Sequence, residues 1–202
     1  MKNVLFWILT ISPIISYSQI LTQNYNLKAT KIIVTSKENF TSKTDSILQV
    51  ALVLAEGVIN SERFEKIILQ AQFVNTKDCS NNEILKLIHS GYEIWKPVAN
   101  DTIELQLGIY PDQNGNNIGS TWSSKKITTS EKYLLKNGAP CYAAHLIHEY
   151  CHTIGYDNEG FTHIHNTNGG RRKEKCSSVP YVIGEIARKL LNISTCHFEC
   201  EF

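Results

Sequence analysis

The spacing of apolar residues marks a run of helices, then a short sheet, then helices again. Lys31 to Thr35 (KIIVT) is β-branched and predicts a strand. From Asp45 to about Asn60, Ile47, Val50, Ala51, Leu54 and Val58 recur at helical spacing, which predicts an amphipathic helix with that stripe on the core. Ser61 stands where it can cap a following helix that carries Phe64, Ile67, Ile68 and Ala71. Ser80 with Glu83 three residues on makes a capping box ahead of Ile84, Leu87 and Ile88, and Gly91 stops that helix.

From Ile103 to Tyr110 apolar and polar residues alternate, as in a half-buried strand. Pro111 to Asn117 is a turn cluster, after which Ile118 to Lys126 is expected to return as a second strand. Pro140 fits the first turn of a helix that runs on through Ile154 to Gly155. A polar loop follows from Tyr156 to Ser178, and Pro180 opens a last helix over Tyr181 to Leu191. No repeat or linker interrupts this order, which predicts one α+β domain.

Composition narrows the class. A chain of 202 residues has the length of one domain and can bury a sizeable core. Lys+Arg 20 against Asp+Glu 19 lacks the basic excess of a nucleic-acid-binding protein. At 19% charged and 42% hydrophobic residues, wholesale disorder is excluded.

Residues 1–18 read as an export signal. Lys2 supplies a short positive region, Val4 to Ile15 an apolar one, and Ser16 and Ser18 stand at −3 and −1 of a cut before Gln19. The expectation is a secreted mature domain over 19–202, with no membrane span after the signal. Cys79, Cys141, Cys151, Cys176, Cys196 and Cys200 all lie in the mature part, without a C-x-x-C pair. An oxidising destination makes disulfides the expectation, in a pairing that the sequence does not fix.

Five of the seven His fall between positions 145 and 165, and among them stands His148-Glu-Tyr-Cys-His152, an H-E-x-x-H motif. On a helix, positions i and i+4 share a face, so His148 and His152 can hold one Zn²⁺. Glu149 is turned about 100° from His148 and can serve as general base to a water activated there. With this many His and Glu, chance gives the motif in roughly one such chain in sixty. His145 lies on the same face but seven residues from His152, about 10.5 Å along the axis, too far for one zinc to gather all three from a straight helix. Cys151, with Ile147 and Ile154, is expected on the core side, as a structural thiol or half-cystine.

His148 to Gly155 (HEYCHTIG) resembles the H-E-x-x-H-x-x-G core of the metzincin clan of zinc metallopeptidases. Over roughly residues 44–192 the chain is similar to poorly characterised secreted bacterial proteins of this zincin-like type. The resemblance implies a zincin-like α+β domain that hydrolyses peptide bonds of a peptide or protein substrate with one catalytic Zn²⁺. It also implies that the edge strand around Ile118 to Trp122 pairs with an extended substrate backbone, and that Tyr181 helps to stabilise an oxyanion. The chain departs from the clan pattern in two places. Asn158, after Asp157, stands where the clan has a third ligand, and no Met follows Met1 to form the turn beneath the metal.

A catalytic zinc needs a third protein ligand, expected from the loop after Gly155. His163 is favoured, with His165, Asn158 and Asp157 as rivals. Gly160 lets the chain fold back, and His163 and His165 would face one side of an extended segment. A variant arrangement takes Glu185 of the last helix. Two other functions fit the same residues: a metal-binding secreted protein without catalysis, and a non-enzymatic adhesion or inhibitor module held by disulfides.

Overall fold

A computed structural model describes residues 29–74, 76–111, 118–123, 125–156 and 177–194. The expected export signal lies outside the described residues. The described residues open with strand β1 (Lys31–Glu38), followed by helices α1 (Ser42–Ile59), α2 (Glu62–Gln70) and α3 (Asn81–His89). Strands β2 (Thr102–Tyr110), β3 (Gly119–Trp122) and β4 (Lys126–Ser130) come next, then helices α4 (Glu131–Thr153) and α5 (Val179–Leu190). The fold is α+β in a single domain.

Local chemistry sets the helix ends. At α1 the Thr41 hydroxyl accepts from the Thr44 amide, and the Thr44 hydroxyl accepts from the Thr41 amide. Ser61 caps α2 through the Phe64 amide, and Ser80 with Glu83 forms the expected box on α3. Asn81 closes the far end of α2, its amide nitrogen donating to the carbonyls of Ile68, Leu69 and Ala71. Gly91 turns the chain out of α3 at φ 65°, where a Cβ would strike the backbone of Thr102.

The buried face of α1 differs from the expected stripe. Thr44, Leu48, Ala51, Ala55, Val58 and Ile59 are buried, whereas Val50 is 53% exposed. Helical spacing permits either face. The inner one is set by α4, against which α1 packs along its length with the small Ala51 and Ala55 turned inward. Residues of α1, α4, β1 and β2 meet around a small apolar void lined by Ile32, Ala55, Ile59, Leu105, Leu146 and Tyr150, among others.

The sheet runs in the order β1-β2-β4-β3. β2 is parallel to both β1 and β4, and β3 is antiparallel to β4 on the outer edge. The expected return strand over Ile118 to Lys126 is therefore corrected. It is a short edge strand and a turn, while the neighbour of β2 is β4, whose Ile127 and Thr129 are buried. The reason is directional: a parallel partner for β2 requires the chain to travel back first, and β3 makes that journey before reversing into β4. β2 is also more than half-buried, with Glu104 and Gly108 enclosed as well as its apolar side.

β4 pairs with β2 only from Gln106 onward, leaving a notch beside Glu104. Glu93 fills it, its carboxylate accepting from the Glu104 amide at 2.8 Å. Lys96 in turn pairs with the Glu104 carboxylate.

Ser130 ends β4 and caps α4 through the Tyr133 amide. The helix begins nine residues before Pro140, earlier than expected, and breaks at Gly138 (φ 73°) before Pro140 restarts it. Every residue from Cys141 to Cys151 is buried, with α1, α5 and the β3–β4 side of the sheet packed around this segment. No described helix is long and apolar enough to cross a membrane.

Candidate metal centre

The second half of α4 carries the H-E-x-x-H motif. His148 and His152 lie one turn apart, ring centroids 5.3 Å from each other at 76°. One ligand atom from each of His148, Glu149 and His152 falls within 4.8 Å of the other two. Among the described residues this is the one group of three or more such side chains close enough to hold an ion.

Each imidazole is oriented by a different neighbour. The Nδ1–H of His152 donates to the Tyr156 carbonyl at 2.6 Å, leaving Nε2 with its lone pair. A tight turn brings that carbonyl round: the Tyr156 amide donates to Cys151 O, and Gly155 takes φ 105°. Ile94 braces the turn from outside, its amide bound to Thr153 O and its side chain against Gly155, and Lys77 donates to the Gly155 carbonyl.

His148 is wedged against α5. A Cβ on Gly184 would stand 3.0 Å from His148 Cβ and 3.2 Å from its Nδ1, so any larger residue would press the ring aside by a few tenths of an ångström. The Tyr181 ring meets it edge to face at 4.8 Å. Burial pushes the His148 pKa down to about 3, so the ring is neutral and offers a lone pair.

Glu149 is 5% exposed. Its Oε2 accepts from the Thr121 hydroxyl at 2.6 Å, while Oε1 lies 3.9 Å from His148 Nε2 and 3.7 Å from His145 Nδ1. Burial pushes this carboxyl up, but the three histidines and the Thr121 hydroxyl together outweigh it and hold the group below the usual carboxylate range. A carboxylate beside two imidazoles on one helical turn is a donor set suited to Zn²⁺ and to proton transfer.

Of the remaining sequence candidates, Tyr181 reaches the site, against His148. His145 is buried between Tyr133 and Tyr142, 3.7 Å from Glu149 and outside the three-residue cluster. Burial holds its pKa down. Glu185 is engaged by Arg188 through both carboxylate oxygens at 2.7 Å, and is not in the cluster. Cys151 is a buried free thiol bonded to Ile147 O, its pKa raised by burial. Cys79 is also a free thiol. His163, His165, Asn158 and Asp157, like Cys176, Cys196 and Cys200, lie outside the described residues.

Three contributors escaped the sequence reading: Thr121, Gly184 and the main-chain carbonyl of Tyr156. Only Gly184 left a trace, as a glycine inside an otherwise regular helix, which often signals close approach. Comparison with known proteins finds no matching family model, no matching curated protein and no matching solved structure.

Proposed function

We propose that the protein is a secreted zinc metallopeptidase that hydrolyses peptide bonds in a peptide or protein substrate. The observation that carries this reading is the clustering of ligand atoms from His148, Glu149 and His152 within 4.8 Å of one another on α4. His148 and His152 would hold the metal through Nε2. A bound Zn²⁺ would polarise the scissile carbonyl and acidify a water toward a pKa of about 7. Glu149 would serve as the proton carrier, taking a proton from the attacking water on Oε1 and giving it to the leaving nitrogen. Tyr181, packed on His148, is proposed to lend a hydroxyl to the oxyanion. His163 is proposed as third ligand, ahead of His165, Asn158 and Asp157.

The experiment is a metal analysis of the exported protein with a broad peptide library, repeated on Glu149→Gln. The expected result is one zinc in both proteins and hydrolysis in the wild type alone, because an amide cannot take the proton but leaves both His intact. Equal hydrolysis by the two proteins overturns the mechanism. Stoichiometric zinc without hydrolysis by the wild type favours a non-catalytic metal protein, and absence of zinc favours the adhesion or inhibitor module. Alanine at His163, His165, Asn158 and Asp157, each assayed for zinc affinity, tests the third ligand.

A further inference from the structure

β3 and α4 run side by side with matched steps. Gly119 and Thr121 are two residues apart on one face of a strand, about 6.7 Å. His145 and Glu149 are four residues apart on a helix, about 6 Å along its axis. The two spacings agree closely enough for Gly119 to meet His145 and for Thr121 to meet Glu149. Ser120, between them, turns to the other face and reaches Thr128. The approach is close: a Cβ on Gly119 would lie 2.6 Å from His145 Nε2 and 2.2 Å from Thr128 O.

We propose that Thr121 is a positioning residue for Glu149, its hydroxyl fixing which carboxylate oxygen faces the metal position. The inference rests on the peptidase reading and adds to it a part for the edge strand. The hydroxyl has one proton and two acceptors in range, Oε2 at 2.6 Å and the Glu149 main-chain carbonyl at 3.2 Å. The shorter, charge-assisted bond takes it. With Oε2 held, Oε1 is the oxygen left toward His148 Nε2. Without the hydroxyl, the carboxylate can rotate about its last torsion and spend part of its time with neither oxygen aligned for proton transfer. Thr121 hydrogen-bonds to Glu149 and not to His148 or His152, so the two imidazoles are expected to keep the metal without it.

The test uses the full exported chain loaded with zinc, as wild type, Thr121→Val, Thr121→Ser and Glu149→Gln. Valine keeps the shape and removes the hydroxyl; serine restores it. Thr121→Val is expected to lose about ten- to a hundredfold in kcat with KM within about twofold and zinc content unchanged. Thr121→Ser recovers most of the rate, a rescue that a packing defect would not show. An independent readout is the crystal structure of each metal-free variant. Glu149 Oε2 should keep its hydroxyl partner in Thr121→Ser and be rotated or split between positions in Thr121→Val.

Wild-type kcat in Thr121→Val with Glu149 in place overturns the proposal, as does a raised KM at unchanged kcat. Failure of the peptidase reading looks different, because the wild type and Glu149→Gln then hydrolyse peptides equally. The position of Glu149 in the two Thr121 variants then decides the clamp by itself.

Discussion

Replacing Glu93 by Gln is expected to stabilise the protein above neutral pH and to leave it nearly unchanged in acid. Glu93 is 1% exposed, and burial in the notch beside β2 pushes its pKa from 4.5 up to about 7, with the neighbouring Glu104 carboxylate adding to the effect. Between those two values the folded chain keeps a proton that the unfolded chain releases. Stability therefore falls as pH rises from about 4.5 to about 7, then levels off. At 1.36 kcal/mol per tenfold change in proton affinity, the full loss is about 3 kcal/mol. Glutamine cannot ionise, yet its oxygen can still accept from the Glu104 amide. Its NH₂ group has Lys96 nearby, which trims the gain to about 1–3 kcal/mol at pH 8. Urea unfolding of both proteins at pH 4.5, 6 and 8 measures the difference. Buried histidines such as His89 add their own pH dependence to each curve, but it cancels on subtraction. A difference that stays constant, or shrinks with rising pH, would mean that Glu93 does not hold its proton toward neutral pH.

Gly184→Ala should weaken zinc binding about tenfold by pressing on His148, while the urea midpoint moves little, since a helical alanine regains about 1 kcal/mol. Unchanged zinc affinity would mean that His148 can yield at no cost. Asn81→Ala strips three carbonyls at the end of α2 of their donor and should cost about 1–2 kcal/mol by chemical denaturation. Cys151 should resist iodoacetamide in the native protein and react only after unfolding, as mass spectrometry of the labelled chain would report. Intact mass of exported protein should start at Gln19; retention of Met1 to Ser18 would remove the case for secretion.

The parts of the fold that could be read from sequence are those written in neighbouring residues. Ser61, Ser80 with Glu83, and Pro180 act within one turn, and each helix they begin is where they place it. The His148, Glu149 and His152 cluster is local too, since a single helical turn brings it together. What failed to show was set by distant chain. The inner face of α1 depends on α4, and β4 pairs with β2 only because β3 has first carried the chain back. Thr121 lies 28 residues from Glu149, and no spacing rule connects a strand hydroxyl with a helix carboxylate across that gap. Gly138 reads as an ordinary glycine until the backbone requires φ 73° there.

The enclosure of Cys141 to Cys151 ties occupancy of the site to global opening. Amide protons of this stretch should be among the slowest in the molecule to exchange, because no smaller fluctuation uncovers a segment wrapped on every side. An ion held by His148 and His152 would then draw on the same reserve, adding RT ln(1 + [Zn]/Kd) to the unfolding free energy of the whole domain. Chelators would then strip it no faster than the domain opens, although His152, just past the enclosed stretch, is the one of the two that solvent reaches more readily.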